Sequence, residues 1–309
     1  MNHTDSSLSP SPLAAPAPAV CPVHPRWRLV LSVFKLRIGV LIMLTALAGL
    51  AIVPHALVTP WQAFVLALCV LTASASAGAF NQYVEADNDR LMARTRGRAF
   101  ANGSLQRNPR WLLAMLAMLI SAVTVAGLVT NWAAAMFVLL GAFTYAVIYT
   151  LVLKRRTPWN IVIGGAAGSF AVLAGAAAAN PQIAPQAWSL ALVLLLWTPP
   201  HFWSLAIANH DQYAAAGVPM LPVVVGLERA ARVVHWSTMA LVAATLLPLL
   251  FGAGWAYGLA AALGSTLFLR RTFVLARKPA RSQAMAAFFA SMMQLSMLIL
   301  GVWLDAILR

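Results

Sequence analysis

The stretch NQYVEADNDRLMARTRGR, residues 81–98, combines three acidic residues with four arginines directly behind a long apolar segment. Glu85, Asp87 and Asp89 lie within five positions, although the whole chain has only seven acidic residues. Carboxylates of like charge destabilise one another on a helix, so a group of them at the edge of an apolar segment needs counter-charges. This concentration of charge therefore predicts a functional site.

The composition indicates a membrane protein with several spans. Of the 309 residues, 61% are hydrophobic and 9% are charged, whereas a soluble domain has about 25% charged residues. The net charge of +14 does not indicate nucleic-acid binding, because the basic residues lie in clusters between apolar segments, as orientation signals do in membrane proteins.

Nine apolar segments have roughly the length of a transmembrane helix, about 17–25 residues. They are predicted to be helical because lipid leaves other open backbone arrangements without hydrogen-bond partners. The approximate boundaries are 38–54, 61–80, 111–129, 132–151, 160–179, 188–208, 233–252, 254–270 and 284–304. We therefore predict an all-α polytopic membrane protein with nine transmembrane helices in one bundle.

The basic residues predict the orientation of this bundle and of its ends. With nine spans, 20 of the 21 lysines and arginines fall on one side of the membrane, in clusters at 26–37, 90–110, 154–156, 229–232 and 270–281. The positive-inside rule then places the N-terminus inside and the C-terminus outside.

The chain is predicted to contain one folded domain. Residues 1–30 are predicted to be a disordered tail, because their first part is rich in Ser, Pro and Ala. Residues 31–309 would form the helical bundle.

The acidic residues of the quoted stretch have a helical spacing. Asn81, Glu85 and Asp89 are at i, i+4 and i+8, which places them on one face of a helix, whereas Asp87 points elsewhere. A divalent cation would neutralise such a stripe. Hard oxygen ligands suit Mg²⁺ or Ca²⁺, and Mg²⁺ typically takes one or two carboxylates and completes its shell with water and phosphate oxygens.

The arginines that follow suit the same interpretation. The planar guanidinium groups of Arg94, Arg96 and Arg98 are well shaped to bind phosphate oxygens. The stretch thus predicts a metal-diphosphate site at the membrane surface. The alternative is a solvated loop whose acids pair with its own arginines and whose arginines only set the topology.

A second segment, residues 196–226, carries polar groups into the sixth span. Pro199 and Pro200 are expected to interrupt that helix, and His201 follows them at membrane depth. Ionisable groups at that depth usually face the bundle interior, so His201 could contact a planar substrate or be a hydrogen-bonded interior histidine. Asp211 could be a second metal-binding carboxylate, or it could have a capping or topological role.

The segment 149–169 lies between the two acidic loops. Lys154 is placed on the inside face, close to both loops by topology, and Asn160 opens the fifth span. Three glycines, Gly164, Gly165 and Gly168, give that span a small-residue face. Such a face permits close packing of helices, and it could equally leave room for a prenyl chain.

Several segments together resemble the UbiA superfamily of intramembrane prenyltransferases, and in particular its haem-prenylating members. The resemblance covers nearly the whole chain after residue 30. It is carried by FKLRIGVLIMLTALAGL (34–50), NQYVEADNDRLMARTRGR (81–98), KRRTPWNIVIGG (154–165), PPHFWSLA (199–206) and YAAAGVPMLPVV (213–224). The last three segments point to haem rather than to a quinone or chlorophyll acceptor.

The resemblance implies an enzyme that uses Mg²⁺ to transfer the farnesyl group of farnesyl diphosphate to a vinyl group of haem b, giving haem O. It implies a bacterial inner membrane location with a cytoplasmic active site, and a haem A synthase or terminal oxidase as a downstream partner. By motif match, the catalytic and metal-binding residues would be Asn81, Glu85, Asp89 and Asp211, with Asp87 as an auxiliary acid. The substrate-binding residues would be Arg37, Arg94, Arg98, Lys154, Asn160, His201 and Tyr213.

The chain departs from the family pattern at three places. Leu36 stands where a proline is usual, Gln212 occupies a position that is often acidic, and a proline pair after Gly168 is missing. Two other functions remain open on the sequence alone: prenylation of a phenolic or quinone acceptor, and a transporter or non-catalytic assembly factor. A transporter should show more charges at mid-bilayer than these spans contain.

Overall fold

The computed structural model describes residues 26–54 and 58–308, and within these ranges every regular element is a helix. The predicted all-α class is therefore confirmed. The helices are α1 (Arg26–Val33), α2 (Leu36–Ala51), α3 (Pro60–Val84), α4 (Ala86–Asp89), α5 (Pro109–Val129), α6 (Trp132–Phe143), a π-helix (Thr144–Leu153), α7 (Asn160–Gly164), α8 (Ala166–Ala179), α9 (Pro185–Ala208), α10 (His210–Ala215), α11 (Leu221–Val225), α12 (Leu227–Ala244), α13 (Leu247–Leu250), α14 (Trp255–Arg277) and α15 (Arg281–Leu308).

Eight helical segments in the described ranges are long and apolar enough to cross a membrane. They are Pro60–Val84, Pro109–Val129, Trp132–Leu153, Asn160–Ala179, Pro185–Ala208, Leu227–Leu250, Trp255–Arg277 and Arg281–Leu308. These correspond to the second to ninth predicted spans. The structure thus supports eight spans directly, and the protein is an integral membrane protein.

The first predicted span, 38–54, differs from the others because it belongs to a bent pair of helices. Helix α2 has 16 residues, about 24 Å at 1.5 Å per residue, which is less than the hydrocarbon thickness of about 30 Å. Together with α1, from which it is bent by 47°, it is long and apolar enough to form a ninth span. Helix α1 begins at Arg26, inside the predicted tail, while residues 1–25 lie outside the described part of the chain.

The bend between α1 and α2 is centred on Lys35. This residue has φ 49° and ψ 42°, the left-handed conformation, which is uncommon for a residue with a Cβ atom. The Lys35 side chain reaches Asn81 on α3. The bend therefore positions a basic residue against the acidic stretch that follows α3.

Small residues allow α2 and α8 to pack with their backbones in contact. A Cβ atom on Gly49 would collide with the Val172 backbone, and one on Gly175 would collide with the Ala46 carbonyl. Small residues at such crossings are typical of helices packed in lipid. The close-packing glycines at this crossing are Gly49 and Gly175, whereas a Cβ atom on Gly168 would meet nothing within 4 Å.

The two prolines of the sixth span do not interrupt it, contrary to the prediction. Helix α9 continues through Pro199 and Pro200 to Ala208. The hydroxyls of Thr198 and Ser204 donate to the carbonyl oxygens of Leu194 and Pro200, at 3.0 and 2.7 Å. Both hydroxyls bond the carbonyl four residues earlier, which is the usual local hydrogen bond of Ser and Thr within a helix.

Candidate functional site

The residues Asn81, Glu85 and Asp89 lie on one face, at the end of α3 and along α4. Helical hydrogen bonds continue through the junction, since the Glu85 N–H donates to the Asn81 carbonyl at 3.0 Å and the Asp89 N–H to the Glu85 carbonyl at 2.8 Å. The side chains of Glu85 and Asp89 are each only 1% exposed. We call these three residues the acidic face.

Asp87 points away from the acidic face. Its side chain is 61% exposed, and its carboxylate accepts hydrogen bonds from Arg107 at 2.9 and 3.0 Å. Arg90 lies 3.7 Å away. Asp87 thus pairs with arginines of its own loop, as the alternative interpretation predicted, and it lies outside the acidic face. Asp89 also has an arginine partner from this loop, Arg98.

The Glu85 carboxylate is held by two cations from the loop after the π-helix. Lys154 Nζ lies 2.5 Å from Oε2, and Arg155 Nη2 lies 3.0 Å from Oε1. Burial by itself would raise the pKa of Glu85, but the charges and hydrogen bonds of Lys154 and Arg155 together outweigh it and lower the pKa below its ordinary value. Glu85 is therefore a carboxylate at neutral pH, and the stabilisation from its ion pairs is lost only as the pH falls through the lowered pKa.

The Asp89 carboxylate is held in the same way by its own loop. Arg98 Nη1 donates to both carboxylate oxygens, at 2.9 and 2.7 Å. The Thr95 hydroxyl donates to the Asp89 carbonyl at 3.0 Å, which fixes the backbone between them. Arg98 thus lies where the sequence predicted, next to the acidic face.

Asn81 is contacted by residues that the sequence analysis did not select. Lys35 Nζ donates to Asn81 Oδ1 at 2.6 Å, and Asn81 Nδ2 donates to the Thr150 hydroxyl at 3.1 Å. Arg37, which was predicted in place of Lys35, is exposed on α2, and the structure does not bring it to the acidic face. The left-handed turn at Lys35 is the reason, because it directs Lys35 inward and leaves Arg37 outside.

The π-helix brings residues to this site that an α-helix would separate. With its i→i+5 hydrogen bonds, a π-helix has about 4.4 residues per turn, so Tyr145 and Lys154 differ by only about 20° around its axis. In an α-helix the same nine-residue separation would place them about 180° apart. Lys154 reaches Glu85, and Tyr145 reaches Lys35 with its hydroxyl at 3.4 Å.

The second acidic loop meets the first one through Gln212 and Tyr213, whereas Asp211 faces away. The Arg94 N–H donates to Gln212 Oε1 at 3.4 Å, and Arg94 Nη2 to the Tyr213 hydroxyl at 3.5 Å. The Asp211 side chain is fully exposed and contacts His210 at 2.9 Å. The structure therefore does not bring the Asp211 carboxylate to the acidic face, because it lies on the outer side of α10. Its role as a second metal-binding carboxylate stays a prediction.

His201 is enclosed by aromatic rings. It stacks between Trp197 and Phe288, with ring centroids 4.1 and 4.6 Å away, and its Nδ1 lies 2.7 Å from the Ser291 hydroxyl. This is the hydrogen-bonded interior histidine of the two predicted alternatives. The structure does not bring His201 to the acidic face.

Asn160 supports the loop that presents Lys154. It is fully buried, and its Nδ2 donates to the carbonyl oxygens of Lys154 and Thr157, at 3.3 and 2.7 Å. Asn160 therefore acts on the site through the backbone of Lys154, and this differs from the predicted substrate contact.

An apolar cavity of about 150 Å³ opens next to the acidic face. Lys35 and Tyr145 form its polar end. Mostly small or branched residues of α2, α3, α6 and α8 line the remainder, including Ala73 and Ala174, together with Phe137 and Phe202. A second cavity of about 110 Å³ lies behind Tyr145 and is lined by Tyr149, Gly164 and Phe202. Both cavities are lined by Tyr145 and Phe202, which thus stand between them.

The oxygen atoms of the acidic face suit a hard cation. Among the described residues, no three His, Cys, Asp or Glu side chains gather into a ready-made metal site. Two carboxylates and one amide oxygen nevertheless form a donor set of the kind that Mg²⁺ takes together with phosphate oxygens and water. The residues present therefore fit Mg²⁺, and Glu85, Asp89 and Asn81 would be its protein ligands.

The site carries more positive than negative charge. Arg98, Lys154 and Arg155 face the two carboxylates of Glu85 and Asp89, and Lys35 is an additional donor. Three cations against two carboxylates leave a surplus of at least one positive charge. An anionic ligand such as a diphosphate would balance it.

Comparison with known proteins assigns this arrangement to a family. The model of the UbiA prenyltransferase family matches residues 42–298. The chain belongs to the UbiA prenyltransferase family.

Within this family, the chain is similar to proteins named protoheme IX farnesyltransferase. The chain is 52% identical over 277 residues to protoheme IX farnesyltransferase 2 of Paramagnetospirillum magneticum, an alignment that covers 90% of this chain and 96% of the relative. The resemblance that the motifs indicated is thereby confirmed.

Solved structures support the fold. A structure of digeranylgeranylglyceryl phosphate synthase superposes with a TM-score of 0.73 at 16% identity, covering 92% of this chain and 99% of that one. A UbiA homologue from Archaeoglobus fulgidus bound to DMAPP and Mg²⁺ superposes with a TM-score of 0.60 at 14% identity, covering 87% and 99% of the two chains. At these identities the likeness shows the fold, which is that of UbiA proteins.

The ion pairs of the acidic face predict a difference in stability between two similar substitutions. Glu85→Gln leaves Lys154, whose side chain is 8% exposed, without its anionic partner, and breaking a buried pair in this way costs about 3–5 kcal/mol. Asp87→Asn is the matched control, because exposed pairs contribute about 1 kcal/mol or less. Thermal unfolding in detergent without substrate measures both, and equal unfolding temperatures for the two variants would contradict the prediction.

Proposed function

We propose that this protein transfers the farnesyl group of farnesyl diphosphate to a vinyl group of haem b, giving haem O and diphosphate. The observation that carries the proposal is the position of Lys35, which contacts Asn81 on the acidic face and also forms the polar end of the apolar cavity. A ligand with an anionic head and an apolar chain fits both regions at once. The name of the 52% identical relative supports farnesyl as the chain and protoheme IX as the acceptor.

The cations of the site would bind the diphosphate. Lys154, Arg155 and Arg98 can exchange their carboxylate partners for phosphate oxygens, since charge-assisted hydrogen bonds to either acceptor are of similar kind. As the bond between the farnesyl carbon and the diphosphate oxygen breaks, negative charge develops on the leaving group. Donors that already surround that position stabilise it without reorganisation.

Asn81, Glu85 and Asp89 would hold Mg²⁺, as the UbiA homologue with DMAPP and Mg²⁺ suggests. When bound, Mg²⁺ supplies Lewis-acid neutralisation of the leaving diphosphate. This role is consistent with the burial of the acidic face, because a buried carboxylate without a cationic partner is costly. Each carboxylate therefore needs either a basic side chain or Mg²⁺ beside it throughout the reaction.

The apolar cavity would protect the allylic cation that remains. Its lining offers no ordered polar group beyond Lys35, Tyr145 and Ser74, so bulk water is kept away from the reactive carbon. The vinyl group of haem b then forms the new carbon–carbon bond. Water adds to the carbocation left on the porphyrin side chain and loses a proton, which completes the hydroxyethylfarnesyl group.

The orientation and location of the site are part of the proposal. Arg98, Lys154 and Arg232 belong to three of the basic clusters. This supports a cytoplasmic active site in a bacterial inner membrane, and nine spans with the N-terminus inside and the C-terminus outside. Haem A synthase or a terminal oxidase would receive the product.

A reporter that is active only outside the cytoplasm, fused behind Leu308, should be active. An inactive but well-expressed fusion would contradict a C-terminus on the outside.

The activity itself is tested with purified protein in lipid. With haem b, farnesyl diphosphate and Mg²⁺, we expect haem O, identified by its mass. Absence of product from protein that is folded in the bilayer would exclude the proposed reaction, and product from a phenolic acceptor in place of haem would redirect it.

Substitutions separate the acidic face from the second loop. Asp89→Asn should abolish turnover while the protein remains in the membrane, because it removes one of the two buried carboxylates. Asp211→Asn is the control and should retain most of the activity, because its side chain is exposed to solvent. Near-normal turnover of Asp89→Asn would contradict the role of the acidic face.

A further inference from the structure

Thr150 lies at the point where the π-helix meets the acidic face. Its side chain is buried, and its hydroxyl donates to the Tyr145 carbonyl oxygen at 2.8 Å. The same hydroxyl oxygen accepts from Asn81 Nδ2 at 3.1 Å. Thr150 therefore links a backbone carbonyl of one transmembrane segment to the first residue of the acidic face on another.

We propose that Thr150 is a positioning residue that fixes which end of the Asn81 amide faces the reaction site. This inference rests on the proposed function, in which Asn81 Oδ1 belongs to the oxygen atoms that receive a cation. Thr150 itself touches neither substrate nor cation in this account.

The direction of the hydrogen bonds carries the argument. A carbonyl oxygen only accepts, so the single proton of the Thr150 hydroxyl is committed to Tyr145. The Thr150 oxygen can then only accept from Asn81, and the amide must present Nδ2 to it. Asn81 Oδ1 is consequently turned to the other side, where Lys35 Nζ donates to it at 2.6 Å.

Lys35 alone would not keep this orientation during the reaction. Lys35 lies beside the other basic residues of the site, and an incoming diphosphate would compete with Asn81 for the hydrogen bond from Lys35 Nζ. Once Lys35 turns to the diphosphate, the bond to Thr150 is the contact that still holds the amide. Without it, the amide could rotate and present its NH₂ group to a cation, which is repulsive.

The π-helix is what makes Thr150 available for this role. In an α-helix a threonine hydroxyl bonds the carbonyl three or four residues earlier. Here it bonds the carbonyl of Tyr145, five residues earlier, as the wider turn allows. The rare helix type and the amide orientation are therefore parts of one arrangement.

The test compares Thr150→Val with Thr150→Ser. Valine has the same shape but no hydroxyl, whereas serine keeps the hydroxyl. Loss of a residue that orients a metal-site ligand typically costs 10–100-fold, so we expect Thr150→Val to lower kcat by about that factor with the KM for haem b little changed. Thr150→Ser should recover activity to within about threefold of the wild type, since the residue that orients the ligand is kept.

A second readout does not depend on turnover. The rise in unfolding temperature that Mg²⁺ and farnesyl diphosphate give without haem should shrink in Thr150→Val and be restored in Thr150→Ser. If Thr150→Val does not remain folded, Thr150→Ala takes its place in the same comparison.

Two results would overturn the inference: wild-type behaviour of the variant without a hydroxyl in both readouts, or a defect in Thr150→Ser as large as in Thr150→Val. The first would show that the hydroxyl is not needed, and the second that only packing is at stake. If the wild type binds farnesyl diphosphate but forms no haem O, the proposed function fails, while the comparison of unfolding temperatures still decides the role of Thr150.

Discussion

The burial of two carboxylates at the edge of a lipid-embedded bundle is the constraint on which the site depends. A buried carboxylate without a partner is so costly that the fold must supply a cation for it. Glu85 is met by Lys154 and Arg155, and Asp89 by Arg98. Lys154 and Arg155 directly follow the π-helix, whereas Arg98 belongs to the loop after α4. The need to pair Glu85 therefore brings the end of α3 to the end of the π-helix.

The same constraint explains why the site can accept a substrate. A buried ion pair contributes little net stability compared with an apolar core, because the cost of removing its charges from water offsets their attraction. Such pairs are expected where they have a function. Cations that already surround two carboxylates are in place for a diphosphate. The apolar cavity beyond Lys35 leaves room for a chain, so adjoining regions of the bundle would receive the head group and the chain of the proposed substrate.

Much of the fold could be predicted from the sequence because lipid restricts the backbone so strongly. Apolar length located spans two to nine, with ends that differ from the helices by seven residues at most, and the i, i+4, i+8 spacing placed Asn81, Glu85 and Asp89 on one face. Both rules depend on local regularity. The prolines of the sixth span are the exception, because α9 continues through Pro199 and Pro200.

The residues whose position was predicted wrongly lie where the backbone departs from an α-helix, or where contacts with other helices determine which side chain faces the site. The left-handed conformation of Lys35 places Lys35 at the site, where Arg37 was predicted. The π-helix turns Tyr145 and Thr150 toward the site. Asp211 and Gln212 are neighbours, and a difference of about 100° around a short helix decides which of them faces Arg94. His201 was ambiguous because the rings that cover it, Trp197 and Phe288, belong to different helices.

In the proposed reaction, the buried cations change partners from carboxylates to diphosphate. A structure of the protein in lipid with Mg²⁺ and farnesyl diphosphate would show this exchange. We expect diphosphate oxygens within hydrogen-bonding distance of Lys154 and Arg98, with the farnesyl chain in the apolar cavity. A diphosphate bound elsewhere, with the pairs of Glu85 and Asp89 intact and the cavity empty, would contradict it.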